Sequence, residues 1–133
     1  MTAVSATFSR TDAPADLKPL LVIPARMAAT RLPGKPLLDI AGKPMIVRVW
    51  EIARDWAASV PGARVLVAAG DGEIVEAVTA AGGDAVLTDP DLPSGTDRCW
   101  AAARSADPEG NHKVIVNLQG DQPVLGRGVG LLL

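Results

Sequence analysis

Short apolar runs recur along this chain, separated by stretches in which apolar residues return every three or four positions. Leu20-Leu21-Val22-Ile23, Val65-Leu66-Val67-Ala68, Ala85-Val86-Leu87 and Val114-Ile115-Val116-Asn117-Leu118 are almost wholly apolar. Runs of that length without a polar face predict strands covered on both sides. Met45, Ile46, Val49, Ile52, Ala53 and Trp56 fall on one side of a 3.6-residue period, which predicts a helix over 45–56 with Pro44 at its first position. Ile74, Val75, Val78 and Ala81 line a second helix that Gly82-Gly83 ends. Thr96 is the predicted cap of a third helix reaching Ser105. Buried strands alternating with helices predict an α/β fold, a Rossmann-like open and mainly parallel sheet with right-handed crossovers.

The two ends break this alternation. Residues 1–18 are rich in Ser, Thr, Ala and Pro without any period and read as a flexible N-terminal extension. Residues 19–123 form the predicted α/β domain. Residues 124–133 are studded with Gly and finish on Leu131-Leu132-Leu133, an atypical tail that reads as a truncation or a change of reading frame. On that reading the strand at 114–118 lacks later sheet neighbours and presents an exposed edge.

Composition narrows the chemistry. Of 133 residues, 48% are hydrophobic but only 3% aromatic, so the core must be built from Ala, Val, Leu and Ile, with Trp50 and Trp56 on its helical face. A net charge of -2 gives no diffuse attraction to nucleic acid, so any polyanion must be gripped by a local cluster of cations. Cys99 is the single cysteine and His112 the single histidine. An intrachain disulfide and a zinc site built from Cys and His alone are thereby excluded, and neither residue is assigned a role. No apolar run is long enough for a membrane span, and no signal peptide is read at the start, so a cytoplasmic location is expected.

The local cluster lies in the loop after the first strand, Pro24-Ala25-Arg26-Met27-Ala28-Ala29-Thr30-Arg31-Leu32-Pro33-Gly34-Lys35-Pro36-Leu37. Open parallel sheets bind ligands at the C-terminal ends of their strands, where this loop begins. Arg26, Arg31 and Lys35 fall within ten positions. Arginine forks pair with phosphate oxygens and lysine adds a point charge, so the set suits a triphosphate, although a solvated basic loop has the same composition. Ala28 and Ala29 let the backbone approach a ligand, and Gly34 permits a tight turn. The spacing is neither a Walker A motif nor a dinucleotide fingerprint.

This loop, continued by Asp39-Ile40-Ala41-Gly42-Lys43-Pro44-Met45-Ile46, closely resembles the signature of the 3-deoxy-manno-octulosonate cytidylyltransferases, or CMP-Kdo synthetases. Sugar-phosphate nucleotidylyltransferases and CMP-sialate synthetases carry versions that fit less well. Ser94-Gly95-Thr96-Asp97-Arg98 and Asn117-Leu118-Gln119-Gly120-Asp121-Gln122-Pro123 resemble two further motifs of the same family, in the same order. Ala68-Ala69-Gly70-Asp71 departs from the Ala-Thr-Asp of many relatives, which puts a nucleoside contact in doubt.

The resemblance implies a sheet of the nucleotide-diphospho-sugar transferase type and a cytidylyltransferase joining CTP to Kdo, giving CMP-Kdo and pyrophosphate for lipopolysaccharide synthesis. It assigns Arg26, Arg31 and Lys35 to the triphosphate, with Arg26 and Lys35 catalytic, and Asp121 to Mg2+. Ser94, Thr96 and Gln119 are nucleotide- or sugar-binding candidates, although helix capping also accounts for Ser94 or Thr96 and strand-end hydrogen bonding for Gln119. Asp97 and Arg98 read as an ordinary surface pair. In relatives a second metal-binding aspartate, most of the sugar pocket and the segment forming a homodimer lie beyond position 133. The alternatives are a nucleotidylyltransferase for another sugar acid or sugar phosphate, and an inactive truncated remnant that at most binds nucleotide.

Overall fold

A computed structural model describes residues 17–28 and 34–118 with their side chains, together with the backbone of Ala3–Ser5 and Val129–Leu132. The predicted alternation is present. Strand β1 (Ala3–Ser5) precedes β2 (Leu20–Ala25), and a hairpin of two short strands, β3 (Asp39–Ile40) and β4 (Lys43–Pro44), leads into helix α1 (Met45–Ala57). Then follow β5 (Arg64–Ala69), α2 (Gly72–Ala80), β6 (Ala85–Leu87), α3 (Gly95–Ala106), β7 (Ile115–Leu118) and β8 (Val129–Leu132).

The main sheet runs in the order β1-β8-β7-β2-β5-β6. β7, β2, β5 and β6 are parallel neighbours, while β8 pairs antiparallel with β7 and β1 antiparallel with β8. The sequence left the β7 edge exposed. Instead, Val129–Leu132 forms a strand in register with β7, Ile115 opposite Leu132 and Leu118 opposite Val129, which covers that edge. Ala3–Ser5, within the stretch read as a loose extension, pairs in turn with β8.

Two-sided burial explains the polar-free runs. Along β2, Leu21 and Ile23 point to one core with Val67 and Ala69 of β5 and with Ile46, Val49, Trp50 and Ala53 of α1 and Ile74 and Val78 of α2. The alternate residues Leu20 and Val22 point to a second core with Leu66, Ala68 and Ile115 and with Cys99, Ala102 and Ala103 of α3. The period of two thus divides each strand between two helical layers. The α3 layer is built from small side chains, which lets that helix lie close on the sheet. Cys99 is fully covered there, its Sγ 3.3 Å from Asn117 Oδ1, and burial pushes its thiol pKa up to about 12.

Two local expectations are corrected. The cap of α3 is Ser94 rather than Thr96. Ser94 has extended backbone angles and its Oγ accepts a hydrogen bond from the Asp97 N–H at 3.1 Å, while its hydroxyl donates to Asp97 Oδ2 at 2.6 Å. Pro44 caps α1 instead of opening it, because it still pairs in β4 opposite Asp39. Ser94→Ala is expected to lower the stability of the chain by about 1 kcal/mol, read from the denaturant midpoint, since the α3 terminus loses its side-chain acceptor.

Candidate functional site at the C-terminal edge of the sheet

Numbered among themselves, the four parallel strands lie in the order third, second, first, fourth across β6, β5, β2 and β7. The direction of winding reverses between β2 and β7. Helix α1, which follows β2, packs on one face of the sheet, and α3, which leads into β7, packs on the other; the carboxyl edge at such a reversal is where open parallel sheets bind ligands. The basic loop leaves β2 at Ala25, and the segment containing Gln119 and Asp121 follows β7 after Leu118. Two of the sequence-derived motifs therefore begin on either side of the switch point.

The loop is pinched at its base. The Gly34 N–H donates to the Met27 carbonyl at 2.7 Å, so Met27 and Gly34 close the intervening residues into a ring. Gly34 has φ +80, a left-handed conformation that a side chain disfavours, and it turns the chain directly into a short 3-10 turn over Lys35–Leu37. Arg26 and Lys35 are the residues just outside the pinch on its two arms. Both are half-buried. The backbone hydrogen bond sets these two residues on adjoining arms of the loop base although nine positions separate them in sequence.

The neighbouring strand fixes the same base. The Gly70 N–H donates to the Ala25 carbonyl at 2.8 Å, extending the β2–β5 ladder one step past the strand end. A Cβ at Gly70 would stand 2.9 Å from Arg26 Cβ and 3.0 Å from Arg98 Nη1, so only glycine lets Arg26 sit against the β5 turn. Asp71 accepts a hydrogen bond from the Met27 N–H through Oδ2 at 2.7 Å.

Arg98 was read from sequence as half of a surface pair. It is instead buried, with 2% of its surface exposed, and its guanidinium lies under the Arg26 end of the loop. Nη1 donates to Thr88 Oγ1 and, at 2.9 Å, to the Asp89 carbonyl, and Nη2 donates to the Pro90 carbonyl at 3.4 Å. The Thr88 hydroxyl in turn donates a hydrogen bond to the Ala69 carbonyl at 2.9 Å, so the β5 and β6 ends are bound into one network. Burial, and after it the Arg26 guanidinium, push the Arg98 pKa below the ordinary arginine value, while Asp71 and Asp89 oppose that shift. The site therefore has a second guanidinium beneath the one predicted. The available signal was its helical position: Arg98 falls on the stripe with Cys99, Ala102 and Ala103, which is otherwise wholly apolar.

Of the remaining candidates, Ser94 and Thr96 lie exposed at the start of α3, with the Ser94 hydroxyl engaged as the helix cap. Arg31, Gln119 and Asp121 lie outside the described residues. Among the described residues no group of three or more His, Cys, Asp and Glu side chains could hold a metal ion. No helix among them is long and apolar enough to cross a membrane.

A 3-2-1-4 parallel sheet with helices on both faces defines a doubly wound α/β protein with a pinched basic loop at its switch point. Within that class the chain belongs to the cytidylyltransferase family, whose model it matches over residues 20–129. It is 63% identical over 107 residues to a 3-deoxy-manno-octulosonate cytidylyltransferase of Parvibaculum lavamentivorans, an alignment covering 80% of this chain and 40% of the relative. A protein of the same description from Rhodospirillum rubrum is 62% identical over 111 residues, covering 84% of this chain and 42% of the relative. Among solved structures, CMP:2-keto-3-deoxy-manno-octonic acid synthetase complexed with CTP superposes with a TM-score of 0.68 at 46% identity, over 80% of this chain and 42% of that one. A cytidylyltransferase from Leptospira borgpetersenii superposes with a TM-score of 0.61 at 24% identity, which supports the fold. The chain thus spans about two fifths of the length of these relatives.

Proposed function

We propose that this chain is the nucleotide-binding portion of a cytidylyltransferase that transfers CMP from CTP to 3-deoxy-D-manno-octulosonate, releasing pyrophosphate. The observation that carries the reading is the ring closed between Met27 and Gly34 at the sheet's switch point, with Arg26 and Lys35 on its two arms. The relatives named for this reaction, and the synthetase described as complexed with CTP, align over this segment and support it.

In the proposed reaction the anomeric hydroxyl of the sugar acid attacks the α-phosphorus and pyrophosphate leaves. Negative charge accumulates on the phosphate oxygens as the transition state forms, so positioning and electrostatic stabilisation dominate catalysis. Arg26, Arg31 and Lys35 take the triphosphate, with Arg26 and Lys35 as the catalytic pair at the α-phosphate and its leaving group. Arginine supplies paired donors in a fixed plane, and lysine a compact charge able to follow the phosphorus as its geometry changes. The buried Arg98 raises the positive potential beneath Arg26 without needing to touch the ligand. Gln119, Ser94 and Thr96 remain candidates for the nucleoside or sugar.

Asp121 is the proposed ligand of Mg2+. A single carboxylate completed by phosphate oxygens is a hard, oxygen-only donor set, which suits that ion. When bound, the ion would neutralise charge on the phosphates. A cytoplasmic location and a homodimer of the complete enzyme belong to the same proposal, as does the absence of nucleic-acid and membrane partners.

Calorimetric titration of the chain with Mg-CTP and with Mg-ATP tests the nucleotide half of this reading. CTP is expected to bind at least about tenfold more tightly, a difference of about 1.4 kcal/mol. Equal affinities, or no binding of either, would overturn it. The sugar half is decided by pyrophosphate release from a polypeptide extended to the relatives' length and offered several sugar acids and sugar phosphates.

A further inference from the structure

Asp71 occupies the N-cap of α2, a position at which an aspartate side chain ordinarily accepts from the helix's own first N–H groups. It makes no such bond. The first turn is closed instead by its backbone carbonyl, which accepts from the N–H groups of Ile74 and Val75 at 3.2 and 3.4 Å. The carboxylate turns away from the helix and crosses to the β2 loop, where Oδ2 takes the Met27 N–H at 2.7 Å over a sequence separation of 44 residues.

Met27 is the residue at which the loop is pinched. Its carbonyl accepts from Gly34, so Asp71 holds the N–H of the same peptide-bonded residue whose C=O closes the ring. Immediately before it, Arg26 is wedged on Gly70, the residue preceding Asp71. Before that, Ala25 is tied by its carbonyl to the Gly70 N–H. Three consecutive residues of the loop base are thus fixed by two consecutive residues of the β5–α2 turn. Only the Asp71 bond among these comes from a side chain, so it is the one that a change of residue type removes.

We infer that Asp71 is a positioning residue for the basic loop, holding Arg26 and Lys35 where a nucleotide's phosphates are bound. It touches no substrate and acts through Met27. For its consequence on nucleotide affinity the inference rests on the proposed CTP-binding reading; for the anchoring itself it does not. A half-buried carboxylate accepting from a backbone N–H is among the stronger hydrogen bonds of a fold, and its loss frees the loop to sample positions that disperse the cations. Ordering them again on each binding event lowers affinity.

Three substitutions separate anchoring from capping. Asp71→Asn keeps an acceptor oxygen at the same reach. Asp71→Ser supplies a good helix cap but is too short to reach Met27. Asp71→Ala does neither. Backbone amide exchange at Met27, followed by NMR on the chain itself, is expected to accelerate by about tenfold or more in the Ala and Ser variants and to stay within about threefold of the parent in Asn. The dissociation constant for Mg-CTP is expected to follow the same order, rising about tenfold in Ala and Ser. The thermal midpoint of the Ser variant should remain at or above that of Ala. Recovery of slow Met27 exchange by Ser, or unchanged exchange in Ala, would overturn the anchor. If Met27 exchange follows the expected order while the parent binds no Mg-CTP, the anchor stands and the nucleotide reading falls. If the parent binds and the variants bind equally well, the positioning role is refuted.

Discussion

Replacing Lys35 by Ala in a polypeptide carrying the relatives' full length should lower turnover by about 100-fold or more, with the fold intact. The fold is expected to survive because main-chain features set this turn. Gly34 sets the turn by its left-handed conformation, and the Leu38 N–H closes it on the Lys35 carbonyl at 3.1 Å. On the proposed reading turnover falls because Lys35, on the arm of the loop base opposite Arg26, supplies positive charge to the attacked phosphate as its negative charge develops. A group that stabilises only the transition state lowers kcat and kcat/KM together when removed, whereas one that merely holds the triphosphate raises KM. Steady-state measurement of pyrophosphate release over a range of CTP concentrations distinguishes the two. Lys35→Arg keeps the charge but changes its shape and reach, so it should recover less than wild-type kcat while restoring most of the CTP affinity. Near-normal turnover in Lys35→Ala would remove this lysine from the mechanism.

How far the sequence reached depends on which physical signal each part carries. The strands β2 and β5 were legible because both of their faces are covered, so Leu20 to Ile23 and Leu66 to Ala69 admit no polar residue. Helices α1 and α2 were legible from their apolar spacing, and Gly82, with φ +92, marked the end of α2. The hairpin of β3 and β4 was invisible, since two-residue strands are too short to show a period. It is held by the Arg48 guanidinium, which donates to the carbonyls of Ile40 and Ala41 at 2.9 and 2.6 Å. β8 was missed because Val129-Gly130-Leu131-Leu132 owes its structure to the open edge of β7 rather than to its own pattern. In the site, the cationic loop could be found by counting charges in a window. The Asp71–Met27 bond could not, because a hydrogen bond spanning 44 residues leaves no local trace. Arg98 was misjudged for a different reason: Asp97 beside it suggested a surface ion pair, yet Asp97 serves Ser94 while Arg98, one residue on, turns inward.

That inward turn makes Arg98→Ala the most damaging single change expected for stability, with a loss of about 3 kcal/mol. The guanidinium donates to Thr88 Oγ1 and to the carbonyls of Asp89 and Pro90. Its removal leaves these acceptors facing a space vacated in a covered part of the molecule, and both the missing hydrogen bonds and the cavity disfavour the folded state. Arg98→Met tests the division between the two effects. Methionine refills much of the volume without a donor, so it should recover part of the loss, with the remainder assigned to the unpaired oxygens. Urea denaturation of the three proteins, compared at equal slope, measures this directly. The same variants carry a functional consequence of opposite origin. Arg98 and Arg26 repel one another across Gly70, and an anionic ligand relieves that repulsion. Arg98→Met should therefore weaken Mg-CTP binding and flatten its dependence on salt, because one positive charge has left the site. A salt dependence identical to that of the parent would show that the buried guanidinium holds the β6–α3 turn in place and contributes nothing to the potential felt by a nucleotide.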